Sequence, residues 1–490
     1  MKKFLSRYSI KYPQSLAYML QASEYNVHDF WVWYKRVKDF RNVEQRKKLI
    51  RTPKATLILF GGYIMYVLSL ILTIDFSFIT NSVSIFVIGI ILLPYIVLWL
   101  FILETSLINK LQKPIERRIV EKARKKLSTH KGIKIAIAGS FGKTTMKEIL
   151  KTVLGQSKKV SATPDNKNTP LGIARFVEKL KGDEEILIFE MGEYYPGDIK
   201  TLCEVVNPDI GVITGVNEAH LDKFKNLEKT TETIFELADF LKNKDGGRLY
   251  VNSQNRLAKE KAAHLDVVFY GNFGVESKEG NWKAETAETD LSGTSFVLKN
   301  NKGEARPNGV VGQGIVVSSQ LLGLHQVGPL SAVAHLARNL GMRTEDIELG
   351  LKNTKPFEHR LESRQESGGV IVVDDSYNGN PDGVRAAIDF LEGIKNKRRF
   401  YITPGLVEMG PKSEEIHRNI GKQLAEAKIE KVVLIKNSVT HFIEDGLKEK
   451  NYSGEIIWFD SALECFRSLP KMTISNDLLL YQNDWPDNYS

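Results

Sequence analysis

Cysteine is almost missing from this chain of 490 residues: Cys203 and Cys465 are the only two, far apart and without CxxC spacing. That excludes a disulfide framework and a zinc–cysteine site, and it fits a cytosolic setting for the catalytic part of the chain. Repeats of fixed period and low-complexity tracts are also lacking, which removes the repeat architectures. Acidic residues are outnumbered 59 to 68, for a net charge of +9. The surplus is local, because lysine and arginine crowd Arg36–Lys54 and Lys110–Lys134 and are absent from Ala55 to Leu103. Basic residues on either side of an apolar stretch are membrane flanks, and no nucleic-acid-reading motif accompanies them, so no nucleic-acid partner is expected.

The apolar stretch divides into Ala55–Ile74 and Val83–Leu103, each uncharged. Both have the roughly 20 residues that a helix needs to cross a hydrocarbon core of about 30 Å. The pattern predicts a two-helix transmembrane hairpin over 55–104, with a connection holding Asp75 and Asn81 and both ends in the cytoplasm. A hairpin buried in a soluble core is the alternative. The polar residues ahead of the first span argue against a cleaved signal peptide. Residues 1–54 read as an amphipathic and basic segment, in which Ser15–Tyr34 is either a helix along the membrane surface or an ordinary amphipathic one. Residues 105–132 read as a basic linker helix.

From Ile133 onward short apolar strands alternate with helical segments: IKIAIAG, MKEILKTVLG, EEILIFEMG, DIKTLCEVV, IGVITGV. The expectation is an α/β fold with a parallel sheet whose ligand loops follow the strands. Between about Arg248 and Val317 the texture becomes that of antiparallel hairpins added to the sheet. Helical periodicity resumes at Ser331–Leu340. A second α/β unit, of Rossmann-like alternation, begins after Pro356 with GGVIVVDDSYN. The two units are placed at 133–354 and 355–490.

IAIAGSFGKTTMKEIL, Ile135–Leu150, joins an apolar strand to a glycine-bounded loop and then a helix. This is the build of a phosphate cradle. Glycines let backbone N–H groups close around phosphate oxygens, the helix N-terminus favours negative charge, Lys143 meets the β- and γ-phosphates, and the Thr144 hydroxyl can ligate Mg²⁺. Gly139, Ser140, Gly142 and Thr145 belong to the same loop. The spacing is not the standard eight-residue one, since Ile137 stands where its first glycine would be; a structural glycine turn is the plain alternative.

Three polar clusters follow predicted strands. Glu190-Met191-Gly192-Glu193 offers a carboxylate for Mg²⁺, and Asn217-Glu218-Ala219-His220 offers an imidazole that can ligate a metal. Singly, each also reads as a cap or turn residue. Asp374-Asp375-Ser376-Tyr377-Asn378 offers an Asp for a ribose hydroxyl or a metal and a Tyr for stacking, or else an acidic loop closing on an Asn turn.

GSFGKTTMKE (139–148), TPDNKNTPLGIA (163–174), EMGEYYPGDI (190–199), NPDIGVITGVNEAHLDKF (207–224), LLGLHQVGPLSAVAHLA (321–337), HRLE (359–362) and DDSYNGNPDG (374–383) occur in an order and spacing that resembles the Mur ligase family. The resemblance covers about 134–490 and is nearest to the branch that adds D-alanyl-D-alanine to a UDP-linked tripeptide. It implies a P-loop ATPase domain followed by a C-terminal α/β domain, and ATP- and Mg²⁺-dependent amide bond formation through an acyl phosphate. It also implies a peptidoglycan precursor or related carboxylate as partner of an amino acid or dipeptide. Placed on this sequence, the resemblance makes Lys143, Glu190 and His220 catalytic, and Thr144, Glu190 and His220 the metal ligands. Gly139, Ser140, Gly142, Lys143, Thr144, Thr145, Asn252, Arg360 and Asp375 would bind the nucleotide. Asn168, Thr169, Tyr377 and Asn378 would bind substrate. A monomer at the inner membrane, with its catalytic domains in the cytoplasm, is expected. Other readings are a ligase acting on a different, lipid-linked envelope substrate and a membrane-tethered nucleotide-binding scaffold without turnover.

The chain departs from the family at several places. Ile234 stands where a carbamylated lysine is expected, with Glu232 and Glu236 as neighbouring carboxylates that either replace it or line a solvated helix face. Gln326 and Pro329 occupy asparagine positions, and the chain ends YQNDWPDNYS. The small UDP-gripping domain has no counterpart, and the hairpin takes its place.

Overall fold

The computed structural model describes residues 2–23, 25–43, 49–164, 167–217, 226–278, 280–301, 314–366, 368–377, 379–406 and 409–482. The chain divides into two compact units, the first ending at Arg118 and the second running from Ile119 to Asp484.

In the first unit, the stretch expected to carry one amphipathic helix holds two, Tyr12–Ala22 and Val27–Arg36. Asn26 caps the second, its side chain accepting from His28 N–H at 2.9 Å and from Asp29 N–H at 3.3 Å. Neither helix lies free: Tyr12, Leu16, Met19 and Phe30 pack in one buried cluster with Ile58, Leu93, Val97 and Phe101 of the two long apolar helices. Those helices are Pro53–Thr80, of 28 residues, and Val83–Thr129, of 47. The first is capped by Thr52 and starts with proline at its first position, where a missing N–H costs nothing. It runs through Asp75 because Phe76, Phe78 and Ile79 prolong the apolar run, and it ends at Asn81 in the left-handed conformation. The predicted connection therefore shrinks to Asn81 and Ser82. Gly62 sits under the Phe101 ring, where a Cβ would come within 1.9 Å of it, so the glycine permits the close helix approach.

In the second unit, sixteen described strands form two sheets. The larger comprises β1 (Ile133–Ala138), β2 (Val160–Ala162), β3 (Ile186–Glu190), β4 (Ile210–Ile213), β5 (Arg248–Asn252), β6 (Val268–Gly271), β7 (Gly274–Glu276), β8 (Trp282–Asp290), β9 (Gly293–Asn300) and β10 (Ile315–Ser319). Its order is β10-β9-β8-β7-β6-β5-β4-β1-β3-β2. Alternation builds its two cores. Ile135, Ile137, Ile186, Ile188 and Val212 face one side, towards helix Val327–Asn339; Ala136, Ala138, Leu187, Phe189 and Ile213 face the other, towards helix Leu227–Lys242. Strands β5 and β6 pair in parallel, and antiparallel pairing starts only at β7. The hairpin region thus begins some 25 residues later than its texture suggests, because β5 and β6 are still linked by a crossover helix, Arg256–Ala262.

The smaller sheet comprises β11 (Glu362–Gln365), β12 (Ile371–Asp375), β13 (Arg399–Thr403), β14 (Lys431–Ile435), β15 (Glu455–Phe459) and β16 (Leu478–Gln482), ordered β11-β12-β16-β13-β14-β15. All its pairings are parallel except β11 with β12. Both sheets present loops at the C-terminal ends of their parallel strands, where ligands of such folds bind.

Candidate nucleotide and ligation site

The loop after β1 is shaped by what a side chain would strike. Gly139 has φ +141°, and a Cβ there would lie 2.2 Å from Thr214 Oγ1; Gly142 has φ +71° and starts helix Lys143–Leu154. Backbone freedom and free space are both required at Gly139. The loop hangs on the end of β4: Ser140 N–H donates to Gly215 O at 2.9 Å, and the Thr214 hydroxyl donates to Phe141 O at 2.5 Å. Asn252 at the end of β5 steadies the same corner, donating to Thr214 O at 2.9 Å. Ser140 Oγ is buried without a partner among the described residues.

Successive turns of the helix bring Lys143, Thr144 and Lys147 onto one face beside the carboxylates at the end of β3 and just beyond it. Lys143 Nζ lies 2.9 Å and 3.0 Å from the two oxygens of Glu193, and also donates to Gly139 O. Glu190 Oε2 receives the Thr144 hydroxyl at 3.0 Å and Lys147 Nζ at 3.2 Å; Glu190 Oε1 lies 3.5 Å from Asn168 Nδ2. Lys147 is only 1% exposed and Glu193 3%. Asn168 Oδ1 is buried without a partner among the described residues. Thr169 caps helix Pro170–Glu178, accepting from Gly172 N–H at 3.2 Å. Thr145 stands in the first turn of helix Lys143–Leu154.

The turn just before β11 carries Arg360, close enough to Glu190 for their charges to interact. His359 at φ +62° and Leu361 at φ +45° flank it in left-handed backbone. His359 Nδ1 pairs with Asp374 Oδ2 at 2.9 Å, and Leu361 N–H donates to Asp375 Oδ1 at 3.3 Å. The guanidinium lies 5.4 Å from the Tyr377 ring centroid. Burial lowers the Arg360 pKa, opposed by the nearby charges of Asp375, Tyr377 and Glu190. Asp375 is pushed up to about 6 by burial, opposed by Arg360 and by a hydrogen bond from Gln482 at 2.7 Å. Asn217, after β4, ties the sheets together by donating to Asn380 Oδ1 at 2.9 Å and to Asp382 Oδ2 at 3.0 Å.

Of the residues singled out in the sequence, the phosphate loop, Asn168, Glu190, Arg360, Asp375 and Tyr377 gather here, with Asn252 bracing the loop from behind. His220 and Asn378 lie outside the described residues. Ile234 is fully buried in the apolar core. Glu236 accepts from Gly197 N–H and Lys200 N–H at 2.9 and 2.8 Å, while Glu232 is exposed. The sequence reading placed Glu193 in a cluster offering a carboxylate and Asn217 in the cluster that ends at His220 but found the partner of neither, and it gave no role to Lys147 or Gln482. Of these last two only Lys147 had a signal: it lies one turn beyond Lys143 on the same helix face.

Residues 137–337 match the Mur ligase middle domain, and residues 359–481 match the Mur ligase glutamate ligase domain. The chain belongs to the Mur ligase family. The UDP-N-acetylmuramoyl-tripeptide–D-alanyl-D-alanine ligase of Bacillus subtilis is 25% identical over 349 residues, covering 71% of this Mur ligase and 72% of the relative. The ligase of that name from Borreliella burgdorferi is 28% identical over 345 residues, 69% and 68% of the two chains. In fold, this Mur ligase is similar to MurF of Acinetobacter baumannii, with a TM-score of 0.63 at 22% identity, covering 75% and 77% of the chains. It is likewise similar to MurF of Thermotoga maritima in complex with ADP, with a TM-score of 0.62 at 24% identity, covering 75% and 80%. The family is ATP-dependent, and the glycine cradle with the orphaned Ser140 hydroxyl and Asn168 carbonyl fits a phosphate-bearing ligand and a cation beside Glu190.

Proposed function

We propose that this Mur ligase joins a substrate carboxylate to the amine of an amino acid or dipeptide such as D-Ala-D-Ala, at the expense of ATP, in the manner of the MurF enzymes it resembles. The observation that carries the reading is the glycine cradle at Gly139–Thr145 set against Glu190, which accepts the Thr144 hydroxyl at 3.0 Å and lies within charge range of Arg360. A carboxylate oxygen attacks the γ-phosphorus and ADP leaves; the amine nitrogen then attacks the acyl carbon, and phosphate leaves with the C–O bond electrons. Lys143 and Arg360 offset charge on the transferring phosphoryl group. Asn168 and Thr169 stand where the carboxylate would approach, and Asp375 and Tyr377 hold Arg360 in place. Thr144 and Glu190, with His220, would hold Mg²⁺, which when bound supplies charge neutralisation between phosphates and carboxylate. The catalytic part divides at about Thr354, and bringing its halves together would keep water from the acyl phosphate.

The two apolar helices are long enough to cross a membrane. Their outward faces carry large apolar residues, among them Ile64, Leu68, Leu72, Ile88 and Leu92. These faces support a membrane hairpin, the basic flanks at Arg36–Lys54 and Lys110–Lys134 favour cytoplasmic ends and so a cytoplasmic catalytic part at the inner membrane, and such an anchor makes a lipid-linked carboxylate the second reading. Detergent-purified protein would be incubated with ATP, Mg²⁺ and either UDP-linked or lipid-linked precursors, and the products weighed by mass spectrometry. Phosphate release that needs both carboxylate and amine, with the matching mass gain, supports ligation; the carrier that reacts distinguishes the two substrates. Nucleotide binding without release under any combination overturns ligation and leaves a scaffold.

A further inference from the structure

The phosphate-loop lysine is already engaged. Both Glu193 oxygens lie within 3.0 Å of Lys143 Nζ, and that carboxylate is 3% exposed. The neighbouring carboxylate, Glu190, is matched by Lys147 at 3.2 Å. Each of these two carboxylates is thus matched by a lysine before any ligand enters, a balance of charge at the loop. Polyphosphate upsets this balance. For Lys143 to turn to a phosphate oxygen it must leave Glu193, and a buried carboxylate without its cation is costly, the more so beside further negative charge.

We propose that Glu193 makes nucleotide binding conditional on a divalent cation: Lys143 exchanges Glu193 for phosphate only when a cation takes over the freed carboxylate. The inference rests on the Gly139–Thr145 loop being the phosphate site. Glu193 is then a positioning residue that guards the lysine in the empty enzyme and becomes an oxygen donor to the cation in the loaded one. Hard divalent cations suit such a donor, since carboxylate oxygen is their preferred ligand. Nothing is transferred to or from Glu193; the change is one of ionic partners.

The test is binding of ADP to the full chain by calorimetry, with Mg²⁺ and with a chelator, in the wild type, Glu193→Gln and Glu193→Asp. The wild type is expected to bind ADP at least about tenfold more weakly without Mg²⁺. Glu193→Gln frees the lysine, so its metal-free affinity is expected to rise about tenfold while its gain from Mg²⁺ shrinks by a similar factor. Glu193→Asp keeps the charge on a shorter arm and is expected to fall between the two. A thermal-shift series gives a second reading: chelated ADP should raise the melting temperature of Glu193→Gln more than that of the wild type. Equal Mg²⁺ dependence in wild type and Glu193→Gln overturns the proposal while leaving the nucleotide site intact. Failure of the wild type to bind ADP with Mg²⁺ overturns the site assignment instead.

Discussion

The side-chain amide of Asn217 donates to Oδ1 of Asn380 at 2.9 Å, joining the end of β4 to the cap of helix Pro381–Gly393. The same amide reaches Asp382 at 3.0 Å, so one side chain links the segment after β4 to the first turn of that helix. Asn217→Ala removes both bonds. At about 1 kcal/mol for a hydrogen bond, turnover is expected to fall about tenfold while ADP affinity changes little. Steady-state kinetics beside calorimetry checks this, and an equal loss in both measurements would contradict it.

Lys143→Ala takes away the cation aimed at the phosphates. Turnover is expected to drop on the order of 10²-fold, the scale for losing one preorganised charge partner of a transition state. Full ligation by this variant, measured as product mass, would defeat the assignment of the loop.

Asp375 has a pKa of about 6 in the folded protein and an ordinary value of 3.8. Between those values the native state holds a proton that the unfolded state has lost, so stability falls as pH rises through the window, by about 1.4 kcal/mol per pH unit at most. Asp375→Asn cannot titrate. Its stability relative to wild type is expected to climb between about pH 4 and pH 6 and then level off. Urea unfolding at several pH values reads the difference; parallel curves would remove Asp375 as the source.

Ile234 occupies the place where the family resemblance leads one to expect a modified lysine, yet it is fully buried among Phe235, Leu237 and Val206 of the same apolar core. Ile234→Ala is expected to cost about 2 to 5 kcal/mol in urea unfolding, as other large core truncations do. A loss below about 0.5 kcal/mol would show that the position is not a packing site.

The strands around the phosphate loop were legible because their chemistry is local. Ile135 and Ile137 alternate with Ala136 and Ala138, and the glycines of GSFGKTT announce a turn before a helix. The hairpin's length was less so: Asp75 reads as a loop marker, but one carboxylate near the end of an apolar helix does not break it. The pairings that were not foreseen join distant residues. Glu193 acts on a lysine 50 positions earlier, and Asn217 on an asparagine 163 positions later. No periodicity or spacing rule carries such pairings, since only the folded sheets bring them together.

Arg360 stands between two residues, His359 and Leu361, whose backbones sit in a region that L-amino acids enter at a cost of about 1 to 3 kcal/mol each. The turn is thus a place where endurance and aim compete. Glycine at 359 would relieve that strain but give up the pairing of His359 with Asp374, and glycine at 361 would remove a side chain buried in the core with Val373 and Leu480, so each change trades backbone strain against an anchor of the guanidinium. Melting temperature alone is therefore a poor guide at 359 or 361, because strain, anchoring and aim meet in the same three residues.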